Sequence, residues 1–131
     1  MDLRLESLPK LKPEIKTRWV EALRSGKYMQ TQGTLRNGEG FCCLGVLCDI
    51  VKNDLNIEWE YEKFENGADL WSFDHEDGII PGSVFRYVVA TGQKTAAIEL
   101  ADPLATRNDG SFEFDSPWTF VQIADAIEEH A

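Results

Sequence analysis

The spacing of apolar positions predicts a first helix that begins at Pro13 and ends at Ser25-Gly26. Proline suits the first turn of a helix, and glycine suits the residue after its end. The apolar positions between them recur at the three- and four-residue spacing of one helix face: Ile15, Trp19, Ala22 and Leu23. We therefore expect this helix to lie with one face on the core.

A second helix is predicted between Phe41 and Val51, where apolar residues occupy nearly the whole circumference. The apolar positions on it are Cys43, Leu44, Val46, Leu47, Cys48, Ile50 and Val51. We expect this helix to be central and nearly fully buried. Gly45 is then the point at which a neighbouring segment approaches closely.

Two β-hairpins are predicted from strand-like runs that are joined by turn residues. The first spans about 28 to 42 and has Asn37-Gly38 as its turn. In the second, apolar and acidic residues alternate from Ile57 to Tyr61, and Glu65-Asn66-Gly67 turns the chain back into another apolar run. The outer face of this second hairpin is expected to be acidic.

The last third of the chain is predicted to hold two further helices. One begins at Pro81-Gly82-Ser83, and the other is capped by Asp115-Ser116-Pro117. Between them, Thr95 to Leu100 fits either a short strand or a helix, and Thr106 to Gly110 is rich in turn residues.

These elements predict an α+β fold with a single domain over residues 1–131. Two hairpins pack on about four helices, which include the buried central helix and a C-terminal helix. The chain has 131 residues, and no apolar run approaches the roughly 20 residues that span a bilayer. Because the first residues lack the apolar core of a secretory signal and three cysteines are an odd number for a disulfide framework, we expect a cytoplasmic protein.

The net charge of -10 is unevenly distributed. Residues 1–36 hold eight Lys or Arg against four Asp or Glu, a balance of +4, and the remaining residues hold five against nineteen, a balance of -14. Such a field disfavours a nucleic acid partner and directs any anionic ligand to the N-terminal third. An acidic body that mimics nucleic acid is a less favoured interpretation.

The cysteines do not fit a metal or catalytic site. A structural zinc site needs four ligands at characteristic spacings, whereas Cys42, Cys43 and Cys48 have no histidine nearby. A nucleophilic cysteine would need a base, and the histidines lie in a predicted loop and at the C-terminus. We therefore expect packed thiols, no metal, no cofactor and no catalytic residue.

The segment from Arg24 to Arg36 is the strongest candidate for a binding site. It gathers cations, an aromatic ring, amides and glycines where the local charge is positive. Guanidinium and ammonium groups suit phosphate, a ring stacks on a base, and amides pair with the polar edge of a base. A polar hairpin with solvated side chains is an equally good interpretation.

Two sets of residues resemble a family of small phage and prophage proteins, mostly of unassigned function. The first set runs from Trp19 through Leu23-Arg24-Ser25-Gly26-Lys27-Tyr28 to Cys42-Cys43-Leu44-Gly45-Val46-Leu47-Cys48-Asp49. The second comprises Leu104-Ala105, Asn108-Asp109 and the stretch from Thr119 to Glu128. The resemblance touches both ends of the chain.

This resemblance implies a phage accessory protein that acts in the host cytoplasm against host defence. Joined to the basic segment, it leads us to expect a non-catalytic protein that sequesters a cyclic nucleotide or an ADP-ribose-type ligand, with a homodimer left open. The expected ligand-binding residues are Arg24, Lys27, Tyr28, Gln30, Gln32, Arg36, Asn108 and Asp109. Asn108 and Asp109 would complete the pocket by binding ribose hydroxyls.

Two alternatives remain open at this point. An inhibitor of a host defence or nucleic-acid enzyme would use the acidic face around Glu58, Glu60, Glu62 and Glu65. A nucleotide-processing enzyme would use the same ligand chemistry, although the chain shows no evident base or metal set.

Overall fold

Five α-helices and one two-stranded antiparallel sheet form the described part of the chain, a small single-domain α+β fold. The computed structural model describes residues 3–92, 95–110 and 116–131. The helices are α1 (Pro13–Arg24), α2 (Cys43–Leu55), α3 (Gly82–Val88), α4 (Ala97–Asp109) and α5 (Phe120–His130), and the strands are β1 (Trp59–Lys63) and β2 (Asp69–Phe73). A 3-10 turn at Leu5–Ser7 precedes α1.

Helix α2 lies at the centre of the core. It packs against α1, α3 and α4, and every residue from Cys43 to Cys48 is buried. Trp19 of α1 is also fully buried, and its indole nitrogen donates a hydrogen bond to the Cys43 carbonyl at 3.0 Å. Helix α5 packs along α1 and closes the other side of the core. The prediction of a buried central helix is therefore confirmed.

The predicted second hairpin is confirmed, with β1 paired to β2. The register places Trp59 opposite Phe73 and Tyr61 opposite Trp71 on one face. Glu60 and Glu62 alternate onto the other face and are exposed. The two faces therefore differ in kind: one is aromatic and the other is acidic.

The predicted first hairpin does not form as two paired strands, because residues 28–42 are irregular and only an isolated antiparallel bridge joins Arg36 to Phe41 across the predicted Asn37-Gly38 turn. Phe41 makes isolated bridges to both Gln30 and Arg36. The Leu35 amide donates to the Asp77 carbonyl outside the segment at 2.7 Å, while the Leu35 carbonyl accepts from the Cys42 amide at 3.0 Å. We call residues 28–42 the wrapped segment; its backbone is held both by hydrogen bonds within the segment and by bonds to Asp77, Asn108 and Asp109.

Helix α4 confirms the helical alternative for Thr95 to Leu100, since its first turn begins at Ala97. It replaces the turn expected at Thr106 to Gly110, where the helix continues to Asp109. The helix stops at Gly110, whose φ of 84° favours glycine. Tertiary packing against α2 and α5 overrides the weak helix propensity of this sequence.

Helix α5 begins later than predicted. Its first residue is Phe120, and Thr119 caps it by accepting a hydrogen bond from the Gln122 amide at 3.2 Å while the Gln122 side chain accepts from the Thr119 amide at 2.9 Å. This reciprocal pair satisfies two amides that would otherwise lack partners. The predicted cap at Asp115 lies outside the described residues.

Replacing Gly45 with alanine is expected to destabilise the fold. A Cβ atom built at Gly45 would lie 1.9 Å from the Leu35 carbonyl oxygen, so the wrapped segment would have to move off α2. We expect Gly45→Ala to lower the free energy of unfolding by about 2 kcal/mol or more. Gly38→Ala is the matched control, since nothing lies within 4 Å of a Cβ atom there. Urea denaturation measures both, and equal effects would contradict the close approach.

Candidate functional site

Arg24 lies at the contact between α1 and α5. Its guanidinium forms ion pairs with Asp125 at 2.6 Å and with Glu128 at 2.8 Å. Both partners are well exposed, so these pairs contribute modestly to stability. The predicted phosphate contact from Arg24 would compete with two carboxylates.

Lys27 and Tyr28 line an open groove of about 420 Å³ beside α1 and α2. Lys27 is exposed, as is Gln32 further along the wrapped segment. The Tyr28 hydroxyl donates a hydrogen bond to Asp49 at 2.5 Å, and burial together with this bond raises the pKa of Tyr28. Tyr28 is therefore anchored, whereas Lys27 is available to a ligand.

Asn108 is fully buried and joins three parts of the chain. Its amide oxygen accepts hydrogen bonds from Gln30 Nε2 at 2.9 Å and from the Cys43 amide at 3.2 Å. Its amide nitrogen donates to the Thr31 carbonyl at 2.8 Å and to Asp109 at 3.0 Å. The side chain thus ties the wrapped segment and the start of α2 to the end of α4.

Asp109 extends this connection at the surface. Its carboxylate accepts a hydrogen bond from the Gly33 amide at 3.1 Å. The structure therefore brings Gln30, Asn108 and Asp109 together. Their polar atoms contact one another and the wrapped segment, which gives them a positioning role. Ligand contact by these residues stays a prediction.

Arg36 lies among three aromatic rings at the base of the hairpin. Its guanidinium carbon is 3.7 Å from the ring centre of Trp71, 4.9 Å from that of Phe41 and 5.4 Å from that of Trp59. We call these four residues the arginine cluster. Burial lowers the pKa of Arg36, with a smaller opposing effect from Asp49. Within the described residues, this guanidinium donates no hydrogen bond.

A series of rings connects the arginine cluster to the core on one side and to solvent on the other. Trp59 packs edge-on against the fully buried Phe73, with ring centres 5.0 Å apart. Trp71 contacts Tyr61 at 4.8 Å, and Tyr61 is 49% exposed. Within the described residues the indole nitrogen of Trp71 is buried without a partner. Tyr61 therefore offers exposed aromatic surface next to the arginine cluster.

The residue chemistry along the chain predicts Arg36 as a site residue but does not predict the rings around it. Alternation placed Trp59 and Tyr61 on one strand face, and that signal was visible in the sequence. The sequence pattern favoured the acidic face of the same hairpin, because nothing local shows that the aromatic face packs against Arg36. The missed residues are thus Trp59, Tyr61 and Trp71.

Asp49 is a carboxylate that interacts electrostatically with Arg36 of the arginine cluster. Its oxygens accept hydrogen bonds from Tyr28, from Lys52 at 3.0 Å and from the Trp59 indole at 3.0 Å. Burial raises the pKa of Asp49, but the hydrogen bonds outweigh it and the net pKa is lowered. Asp49 is therefore ionised and already engaged at neutral pH.

The three cysteines are free and buried. Burial raises the pKa of Cys42 to about 11, and it raises the pKa of both Cys43 and Cys48 as well. The Cys42 sulfur caps α2 by accepting a hydrogen bond from the Gly45 amide at 3.4 Å. Across residues 3–92, 95–110 and 116–131, no group of three or more His, Cys, Asp or Glu side chains is placed to hold a metal ion. The thiols act in packing and capping.

A family model described as Domain of unknown function (DUF8296) matches residues 11–131. No curated protein and no solved structure matches the chain. Among the described residues, none of the helices has the length and apolar character needed to cross a bilayer.

Replacing Asn108 with alanine is expected to destabilise the fold more than a change at an exposed asparagine. The substitution would leave the buried Cys43 amide and Thr31 carbonyl without partners, so we expect a loss of about 2 to 4 kcal/mol in the free energy of unfolding. The matched control is Asn53→Ala on the exposed side of α2, with an expected change within about 0.5 kcal/mol. Equal losses in chemical denaturation would refute the connecting role of Asn108.

The contribution of Asp49 to stability should depend on pH. Because the pKa of Asp49 is lowered in the folded state, its contribution is full above the unfolded value of about 3.9 and is lost as pH falls through the folded value. We expect the difference in free energy of unfolding between wild type and Asp49→Asn to shrink below about pH 4. Denaturation from pH 7 to pH 2.5 measures it. A difference that stays constant over this range would contradict the assignment.

Proposed function

We propose that this chain, which belongs to the family described as Domain of unknown function (DUF8296), is a non-catalytic binding protein for a nucleotide-type small molecule. The observation that carries the proposal is the arginine cluster. There the Arg36 guanidinium carbon lies 3.7 Å from the Trp71 ring centre. Among the described residues, no group accepts a hydrogen bond from this guanidinium. Such a group is ready to bind an oxyanion.

The chemistry of the cluster suits both halves of a nucleotide. Arginine presents five N–H donors in a planar fork that fits phosphate oxygens, often with two parallel hydrogen bonds. Aromatic side chains stack on nucleobases whatever the base, and each stacked base contributes about 1 to 3 kcal/mol. Tyr61 is 49% exposed and packs against Trp71, so it offers a stacking surface beside Arg36. The phosphate and the base would therefore be held by neighbouring groups.

The wrapped segment carries Arg36 to this position and is itself firmly held. Asn108 binds the Thr31 carbonyl, and Asp109 binds the Gly33 amide. These contacts lie on the segment that presents Arg36, so they limit its freedom before a ligand arrives. Preorganisation of this kind favours affinity because less ordering is needed on binding. Gln30, Asn108 and Asp109 thus support the site through the backbone.

Tyr28 supports the same site from the core side. Its ring packs edge-on against Phe41, with ring centres 5.1 Å apart, while its hydroxyl binds Asp49. Lys27 lies beside it in the groove next to α1, where it can reach an extended ligand. Arg24 and Gln32 complete the predicted contacts, although Arg24 would first have to leave Asp125 and Glu128.

The biological role that we propose is to sequester an immune signal. The resemblance to small phage and prophage proteins supports action in the host cytoplasm against host defence. A binding protein removes a nucleotide messenger from solution without any chemical step. A cyclic nucleotide and an ADP-ribose-type molecule both have the required ring and phosphate. A homodimer is compatible with this role.

Substitution of Arg36 should remove binding. The wild-type chain is expected to gain about 2.7 kcal/mol in free energy of unfolding at a ligand concentration one hundred times Kd. Arg36→Gln removes the charge-assisted hydrogen bonds, so we expect affinity to fall by roughly ten- to one-hundredfold. Thermal denaturation with a panel of cyclic nucleotides and ADP-ribose measures the gain, and calorimetric titration measures the affinity.

The matched control is Lys16→Gln, which removes one positive charge from α1 and should leave affinity unchanged within about twofold. Circular dichroism checks that the Arg36→Gln variant keeps the fold. A ligand recovered unchanged after heating argues against a nucleotide-processing enzyme. Absence of stabilisation by every nucleotide, together with capture of a basic protein through Glu60 and Glu62, would replace this proposal with the acidic inhibitor.

A further inference from the structure

The hairpin leaves the outer edge of β1 without a neighbouring strand. Within the described residues the sheet has two strands, so β1 pairs with β2 on one side only. At the end of β2 the outward Phe73 amide is already used, since it donates to the Glu76 carbonyl at 2.8 Å. Among the described residues, no backbone hydrogen bond reaches β1 from outside the hairpin. The outer edge of β1 is therefore open.

The strand register identifies the backbone groups that lie on this edge. Near the turn the Phe64 amide donates to the Ala68 carbonyl at 2.8 Å. Because hydrogen-bonded and non-hydrogen-bonded pairs alternate along an antiparallel ladder, the even-numbered residues of β1 are those that bond to β2. Tyr61 and Lys63 instead direct their N–H and C=O groups away from β2, and both residues are exposed.

The side chains along this edge are acidic on one face. Three exposed glutamates alternate along the chain there: Glu58, Glu60 and Glu62. The residues on this face of the hairpin line a cavity of about 280 Å³ together with Tyr61: Glu60, Glu62, Leu70 and Ser72. The cavity combines two carboxylates with an aliphatic side chain, so it suits the apolar stem and charged head of a lysine or arginine.

We propose that the open edge of β1 binds an extended, basic segment of a partner protein as a third strand of the sheet. The free N–H and C=O groups of Tyr61 and Lys63 pair with the added strand, which is a recurring mode of peptide recognition. Neighbouring strands lie about 4.8 Å apart, so a long basic side chain on the added strand reaches Glu60 and Glu62. Because side chains alternate along a strand, the segment carries lysine or arginine at every second position.

The charge of the chain favours a basic partner over a second copy of the chain. Residues 37–131 carry a balance of -14, from five Lys or Arg against nineteen Asp or Glu, and such a field attracts a cationic segment. Pairing of β1 with the same strand of a second copy would bring the glutamates of both copies together, which is unfavourable. Peptide binding here is independent of nucleotide binding, because the arginine cluster lies on the aromatic face of the hairpin.

The probe is a hexapeptide with capped ends in which lysine and valine alternate. Amide NMR titration of the full chain at low salt measures Kd and identifies the residues that respond. One control peptide has glutamate in place of lysine, and another keeps the lysines but has all its backbone amides N-methylated. We expect each control to bind at least about tenfold more weakly. Hydrogen exchange of the Tyr61 and Lys63 amides should slow only with the unmethylated lysine peptide.

Two variants separate backbone pairing from charge. Lys63→Pro removes an outward N–H that the sheet does not use, so we expect the fold to persist and Kd to rise about tenfold. Its matched control, Lys63→Gln, keeps the N–H and should bind no more weakly than wild type. Glu62→Lys should raise Kd about tenfold, whereas Glu21→Lys on α1 should change it by less than about twofold. Circular dichroism checks the fold of each variant.

Four outcomes would overturn the proposal and leave nucleotide binding at the arginine cluster intact. Equal binding of the N-methylated peptide would show that charge alone attracts the segment. Equal binding of the glutamate peptide would show that the edge does not select basic residues. Absence of binding by the lysine peptide would exclude this partner. A wild-type dimer in analytical ultracentrifugation that Lys63→Pro dissociates would assign the edge to a second copy of the chain.

Discussion

The buried amide of Asn108 is the contact on which the rest of the arrangement depends. With four hydrogen bonds it fixes the wrapped segment to the start of α2 and to the end of α4. If these hydrogen bonds were lost, each buried polar group would be left desolvated and without a partner, at its full desolvation cost. A partly formed set of hydrogen bonds would therefore be strongly unfavourable. The wrapped segment has little regular structure of its own, and this side chain supplies what a strand ladder would otherwise provide.

Close packing and hydrogen bonding act on the same segment from two sides. The Leu35 carbonyl lies against Gly45, where no larger residue fits, and the Leu35 amide binds the Asp77 carbonyl. Arg36 is the next residue, so its backbone direction is set by a neighbour that can hardly move. The guanidinium reaches the aromatic face of the hairpin as a consequence of core packing, although it does not itself belong to the core.

Elements with a strong local signal were predictable from the sequence, and elements held by distant partners were not. Helix α2 followed from its apolar circumference, and the β1 and β2 hairpin followed from its alternation. The hairpin expected at 28–42 does not form two paired strands because the Leu35 amide and the Thr31 carbonyl bind Asp77 and Asn108, which no local pattern reveals. In the candidate site, residue chemistry indicated Arg36. The rings of Trp59 and Trp71 reach it only through tertiary packing.

The position of Arg36 also explains why an unpaired cation is tolerated in the free protein. Burial lowers the pKa of Arg36, which indicates that its charged form has lost part of its hydration. Three rings replace some of that hydration through their negative faces, but rings provide no acceptor for the N–H groups along the plane of the guanidinium. Oxyanion oxygens supply such acceptors. A ligand that brings them would therefore gain from a group that the fold has partly desolvated and left without hydrogen bonds.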